Sequence, residues 1–268
     1  MTIRERFDLV ILDWAGTMVD FGCHAPVGAL RAAFAQRAVD LSELQARRDM
    51  GKAKEDHVRA LLADPCVAQA WEKAQGRRAD EEDVHALMID LSPLMREQAA
   101  RAAQLIDGAR IMVEALRAEG VKVASSTGYT REMMLPVLEA AAAQGYVPDH
   151  LVCSGETPQG RPTPLMIYKA CAELGVWPLG RVVKVDDTEA GVREGCAAGC
   201  FTVGISASGN EVGLSQDALL ALPAADRAAR IAAAEASLRA AGADVVIETV
   251  AQLVAALQSA AERGVQRA

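Results

Sequence analysis

Leu9-Val10-Ile11-Leu12 runs directly into Asp13-Trp14-Ala15-Gly16-Thr17. Four consecutive apolar residues ended by a polar turn read as a strand buried on both faces, as in parallel sheets. Asp13 then stands at the carboxyl end of that strand, and Gly16 gives the backbone freedom for a sharp turn. In open α/β sheets ligands bind at this edge. A carboxylate there can serve as nucleophile, metal ligand or both, and it can equally be a turn residue without chemistry.

Outward from this strand, strand and helix signals alternate after about residue 105. Amphipathic Ala109 to Ala118 is followed by a strand at Val121 to Ser125 and a helix from Thr130 to Gln144, closed by Gly145. Leu151 to Cys153, Arg181 to Val185, Phe201 to Ile205 and Asp244 to Ile247 read as strands. Pro164 to Leu174, Glu189 to Ala198 and Ala224 to Ala241 read as helices, the first two stopped by glycine. Repeated βα units of this kind predict a doubly wound parallel sheet, a Rossmann-like α/β core. Residues 22–104 differ. Pro26 to Ala38, Ser42 to Asp49, Ala53 to Ala63, Ala68 to Gln75 and Ala79 to Ala103 all show helical spacing without a strand. The expected organisation is a core of residues 1–21 plus 105–268 with an all-helical cap, 22–104, inserted over the carboxyl edge.

Composition bounds the partners. The chain has 268 residues, 51% of them hydrophobic, and a net charge of −8, which argues against nucleic acid as the main partner. Charged residues break the stretch before the first strand, so no signal peptide is read, and no apolar run is long enough for a membrane span. Cys23, Cys66, Cys153, Cys171, Cys196 and Cys200 show no CxxC or zinc-like spacing; Cys196 and Cys200 read as buried thiols on one helix. A reduced, cytoplasmic protein is expected.

The edge that holds Asp13 is populated again at later strand ends. Ser125-Ser126-Thr127-Gly128 ends the second strand, putting a hydroxyl and free N–H groups there, as phosphate binding requires. Arg161 lies between Gly160 and Pro162-Thr163-Pro164, and Asp186-Asp187-Thr188 ends the fourth strand. Each has a plain alternative as a helix cap or surface charge. Together, an acid, a hydroxyl, a cation and a second acid form a phosphoryl-transfer kit for a divalent metal.

This order resembles the four motifs of the haloacid dehalogenase superfamily. Phosphatases of that superfamily usually carry a second Asp two residues after the nucleophile, as acid for an alcohol leaving group; here that position is Ala15. Within the superfamily, Asp13-Trp14-Ala15-Gly16-Thr17, Phe21-Gly22-Cys23, Met50-Gly51 through Lys54, Asp56-His57-Val58-Arg59-Ala60-Leu61, Ser126 through Met134, Gly160-Arg161-Pro162 and Lys184-Val185 with Asp187-Thr188 are similar to the phosphonoacetaldehyde hydrolases, or phosphonatases. Ala15 suits carbon–phosphorus cleavage, in which no alkoxide needs a proton. The departing carbanion needs an electron sink, and a lysine imine provides one.

The resemblance implies that Lys54 captures a small phosphonate aldehyde as a Schiff base, Asp13 attacks phosphorus, and water hydrolyses the aspartyl phosphate. It further implies one Mg²⁺ held by Asp13, the Ala15 carbonyl and Asp187, with Thr127, Gly128 and Arg161 on the phosphoryl oxygens, and a homodimer. Met50, His57, Cys23 and Tyr129 are expected near the substrate, although each also reads as an ordinary packing residue. One departure stands out: the superfamily's further acid, about four residues after Asp187, is Gly191 here, and Asp186 is the candidate to restore its charge. Asp186 and Asp187 would point to opposite sides. A phosphomonoesterase or phosphomutase of the same superfamily is the alternative, weakened by Ala15; a non-catalytic binding protein leaves the acids and cation unexplained.

Of the two neighbouring lysines, Lys54 is preferred for the imine. On a helix advancing about 100° per residue, Lys52 and Lys54 face apart, Lys52 is expected to pair with Asp56, and Lys54 shares a stripe with Met50 and His57.

Overall fold

The computed structural model describes residues 1–263. A short helix α1 (Ile3–Arg6) precedes β1 (Leu9–Leu12). Helices α2 (His24–Ala35), α3 (Glu43–Arg48), α4 (Lys54–Ala63), α5 (Pro65–Gln75) and α6 (Glu81–Arg101) follow without an intervening strand. The chain then alternates: α7 (Ala109–Ala118), β2 (Lys122–Thr130), α8 (Arg131–Ala143), β3 (His150–Ser154), α9 (Leu165–Leu174), β4 (Val182–Asp186), α10 (Glu189–Ala198) and β5 (Phe201–Ile205). Two helices, α11 (Gln216–Ala221) and α12 (Ala224–Ala241), lead to β6 (Val245–Ile247) and α13 (Leu253–Glu262).

Among the described residues the strands form one six-stranded sheet, ordered β3-β2-β1-β4-β5-β6, with every neighbouring pair parallel. The expected doubly wound α/β fold is thus observed. β1 is central because all four of its side chains are inaccessible. Leu9 and Ile11 pack with Met166, Ile167 and Ala170 of α9, whereas Val10 and Leu12 join Val113, Leu116, Leu253 and Leu257 on the other face. At about 1.5–3 kcal/mol per fully buried aliphatic side chain, these four contribute roughly 6–12 kcal/mol before chain entropy is set against them. An edge position would forfeit much of that.

Strand order reverses at β1, and register fixes what meets there. Leu12 lies opposite Ser125 on one side and Val185 on the other. Asp13, Ser126 and Asp186 therefore emerge at one level, with the Asp13 N–H donating to the Val185 carbonyl at 3.0 Å. This is the switch point at which open α/β sheets bind ligands.

The inserted helices carry their own start signals. Ser42 and Asp80 form capping boxes for α3 and α6, and Asp64 caps α5. Phe34 and Trp71 pack edge to face, ring centres 6.4 Å apart. The two crossings between insert and sheet lie side by side, Val19 pairing with Leu105 in an antiparallel bridge. Asp20, Gly22 and Cys23 all adopt positive φ, and the Asp20 carboxylate accepts from the His24 and Ala25 N–H groups to start α2.

Two local expectations need correction. β2 runs on to Thr130, with an irregularity between Thr127 and Thr130, instead of ending at the glycine. Cys200 does not share a helix with Cys196, because Gly199 turns left-handed and ends α10 first. The short helices α1 and α11 carry too little periodicity to be read from sequence. No helix among the described residues is long and apolar enough to cross a membrane.

Candidate active site

Asp13, Asp186 and Asp187 are buried, and each presents an oxygen to a cluster within 4.8 Å. Arg161 binds this group from the side: its Nη1 lies 2.7 Å from Asp13 and 3.3 Å from Asp186, and its Nε lies 2.9 Å from Glu194. Its Nη2 donates to the Ser126 carbonyl and hydroxyl at 2.7 and 3.0 Å. Lys184 Nζ lies 3.0 Å from Asp186 and 3.3 Å from Glu194, and donates to the Ser126 hydroxyl at 2.9 Å. The carboxylates Asp13, Asp186, Asp187 and Glu194 thus outnumber the cations Arg161 and Lys184 by two, all within buried surroundings.

Unbalanced buried charge is costly, and the acids register it. Burial, then the Asp186 charge, push Asp13 up to about 6 against the pull of Arg161 and Lys184. Burial and the charges of Asp13 and Asp186 push Asp187 well above the carboxylate range. Burial also acts to raise Asp186, but Arg161 and Lys184 outweigh it and hold the group below its usual value. Three converging carboxylates, two of them this costly to ionise, fit a divalent metal ion, which would offset their charge.

Gly191 has a structural counterpart in Asp186. A Cβ at Gly191 would overlap the Asp186 carboxyl, so the missing side chain vacates the space that Asp186 fills. The two adjacent acids do face different neighbours. Asp186 meets Arg161 and Lys184, whereas Asp187 accepts from Thr17 Oγ1 at 3.3 Å, Cys23 Sγ at 3.1 Å and the Asn210 N–H at 2.8 Å. Glu189, the first residue of α10, pairs with Arg193 and accepts from the Ser237 hydroxyl.

From the insert, Lys54 enters as the first residue of α4 and is 2% exposed. Its Nζ lies 3.7 Å from Met50 Sδ and 5.3 Å from the centre of the Tyr129 ring. Burial lowers its pKa to about 8, and the Asp13 carboxylate offsets this only in part. His57, also buried, is held well below its ordinary value by burial and by the Lys54 and Lys52 charges, and is neutral. The expected Lys52–Asp56 pair is not formed. Lys52 precedes the helix and pairs with Asp49, while Asp56 accepts from Arg59 at 2.8 Å. Helical angles therefore do not separate the two lysines; the start of α4 at Lys54 does.

Both contributions meet at a cavity of about 20 Å³, lined by Asp13, Ala15, Cys23, Met50, Lys54, Thr127, Gly128, Tyr129 and Arg161, with Pro26, Gly51 and Thr188. Nine of the expected site residues converge here; Asp186 and Asp187 cluster with Asp13 outside the lining, and His57 lies one turn along α4 from Lys54. A volume near that of a single water leaves no room for a substrate between the insert and the sheet edge in this structure. Glycine makes the seam possible: a Cβ at Gly128 would overlap the Lys52 carbonyl, and one at Gly51 would overlap Thr188. The Thr127 hydroxyl accepts from the Tyr129 N–H at 3.2 Å. Sequence reasoning gave no role to Lys184, Glu194 or Asn210. Lys184 had a signal, a lone charge inside an apolar strand; Glu194 had none.

A sequence profile for haloacid dehalogenase-like hydrolases matches residues 7–199. A phosphonoacetaldehyde hydrolase of Paraburkholderia phytofirmans is 44% identical over 91% of this chain and 92% of its own, and one of Syntrophobacter fumaroxidans is 46% identical over 90% and 87%. The chain belongs to the phosphonoacetaldehyde hydrolase family. It is a hydrolase of the haloacid dehalogenase type. A phosphonoacetaldehyde hydrolase-like protein from Oleispira antarctica superposes with a TM-score of 0.94 at 38% identity, covering 98% of this chain and 96% of its own. A predicted phosphoglycolate phosphatase from Haemophilus somnus, at 17% identity and a TM-score of 0.70 over 94% and 99% of the two chains, shares the fold alone.

Proposed function

We propose that this enzyme hydrolyses the carbon–phosphorus bond of phosphonoacetaldehyde, giving acetaldehyde and phosphate. The observation that carries this reading is Lys54, a dry lysine with a lowered pKa, enclosed in the same cavity as Asp13, with Ala15 where an alcohol-forming phosphatase needs an acid. The free amine of Lys54 adds to the aldehyde and loses water to form an imine. The Asp13 carboxylate attacks phosphorus, and the carbon–phosphorus electron pair moves into the imine to leave an enamine. Protonation at carbon and hydrolysis return Lys54 and acetaldehyde, and a second water splits the aspartyl phosphate.

Met50 and Tyr129 shield Lys54, and neutral His57 adds no competing charge beside it. Arg161 and Thr127, with the Gly128 backbone, would bind the phosphoryl oxygens. Asp13, Asp187 and the Ala15 carbonyl would hold Mg²⁺, with Asp186 completing the negative charge. When bound, Mg²⁺ supplies charge stabilisation for the transferring phosphoryl group. Residues 22–104 act as a cap hinged near Asp20 to Gly22 and Ile106 to Gly108, opening for access and closing to exclude water. The test is phosphate release from phosphonoacetaldehyde beside a panel of phosphate monoesters. The phosphonate should be strongly preferred, and a chelator should abolish turnover until Mg²⁺ is restored; faster monoester hydrolysis would favour the phosphatase alternative.

The pH dependence follows from Lys54. Imine formation needs the neutral amine, and a group with pKa about 8 is roughly a tenth neutral at pH 7, against ~0.04% for an ordinary lysine near ~10.4. Because the shift is downward, kcat/KM should rise with pH and level off above about 8. A rise that continues past pH 10 would show that Lys54 is not perturbed.

A further inference from the structure

Arg47, in the last turn of α3, has an 11% exposed side chain, and every guanidinium N–H has an acceptor. Nε and Nη2 donate to Glu43 at 2.9 and 2.7 Å. The remaining donors reach the hinge and the core: Nη1 donates to the hinge Gly22 carbonyl at 2.8 Å and to Asn210 Oδ1 at 3.3 Å, and Nη2 donates to the Gly213 carbonyl at 3.0 Å. Asn210 returns a bond from Nδ2 to the Arg47 carbonyl at 3.2 Å, and its backbone N–H is the one that donates to Asp187. The same loop lies tight against the site. A Cβ at Gly209 would come within 2.7 Å of the Asp187 Cβ, and Ser208 Oγ donates to the Gly16 carbonyl at 2.7 Å.

We propose that Arg47 is a positioning residue that latches the closed insert onto the 208–213 loop and, through Asn210, fixes the Asp187 carboxylate, so that closure and metal affinity are coupled. The coupling rests on the reading of Asp187 as a metal ligand. A residue serving only as the helix partner of Glu43 would not spend three of its donors on hinge and loop oxygens. Coupling is reciprocal: if the latch raises metal affinity, bound metal favours the latched form. Lysine at this position keeps the charge but lacks the planar fork that reaches separate acceptors.

The test uses the full chain as wild type, Arg47→Met and Arg47→Lys, with Asn210→Ala as a second route that removes the side-chain contacts but keeps the N–H to Asp187. Hydrogen exchange of the 208–213 amides in metal-free protein reads the latch, and calorimetric titration with Mg²⁺ alone reads the coupling. Exchange at least ~10-fold faster, and Mg²⁺ binding about 5- to 20-fold weaker, in Arg47→Met and Asn210→Ala is expected. Arg47→Lys should fail to restore either. Unchanged exchange would overturn the latch, rescue by lysine would reduce Arg47 to a surface charge, and faster exchange with unchanged Mg²⁺ affinity would overturn the coupling. A wild-type chain that exchanges as expected but binds no Mg²⁺ would refute the metal reading and the coupling while leaving the latch supported. If the Arg47 variants do not fold, Asn210→Ala decides.

Discussion

Asp13→Asn is expected to lower kcat by at least ~10³-fold, about 4 kcal/mol of transition-state stabilisation. Asn keeps the size of the side chain and an oxygen for Arg161 Nη1, which lies 2.7 Å from Asp13. It removes the nucleophile and one of the charges proposed to hold Mg²⁺, so metal binding should weaken as well. Stability should not fall. The Asp13 pKa is raised in the fold to about 6, so its ionised form is disfavoured there relative to the unfolded chain. In the metal-free protein at pH 7 a neutral residue should therefore hold or raise Tm. Steady-state kinetics and thermal unfolding on the same preparation separate the two effects. A variant retaining a tenth of wild-type kcat would exclude covalent catalysis at this residue.

Lys54→Arg should be equally severe, with kcat/KM down at least ~10³-fold, because a guanidinium keeps the positive charge yet forms no imine. Lys54→Met, unbranched and apolar, is the companion variant if arginine proves too large for a side chain that is 2% exposed. Lys52→Arg should stay within about twofold of wild type, since Lys52 is outside the cavity and paired with Asp49. A large loss in Lys52→Arg alongside a mild one in Lys54→Arg would reverse the assignment.

The parts of the molecule legible from sequence are those where periodicity or a strand end carries the information. β1 was readable because four apolar residues in a row have few other uses, α10 because Gly199 ends it, and α12 because Ile231, Ala234 and Leu238 fall at helical spacing. Asp13, Thr127, Arg161 and Asp187 stood out by position at the sheet edge. What was not legible depends on contacts between distant segments. Glu194 lies in α10 like any helical acid until Arg161 and Lys184 close on it. Gly191 and its substitute Asp186 stood out by spacing, but that the Asp186 carboxyl fills the space of the missing side chain is visible only in the fold. Lys52 and Lys54 were separated by a helical angle that does not apply, because α4 begins only at Lys54. Lys54 is nonetheless the buried lysine of the two, with Met50 Sδ 3.7 Å from its Nζ. Arg47 resembles a surface arginine with an i, i−4 partner, and only the fold brings Gly22, Asn210 and Gly213 within its reach.

The central claim is that one cavity joins an imine-forming Lys54 to a nucleophilic Asp13, and borohydride reduction with substrate tests both together. Reducing the product imine in wild-type enzyme leaves an ethyl group on nitrogen, whereas Asp13→Asn, unable to break the carbon–phosphorus bond, should retain a phosphonoethyl group. Peptide mass spectrometry is expected to find ethylated Lys54 in the wild type and phosphonoethylated Lys54 in Asp13→Asn. An adduct on Lys52, no adduct in turning-over enzyme, or an ethyl group in Asp13→Asn would contradict it.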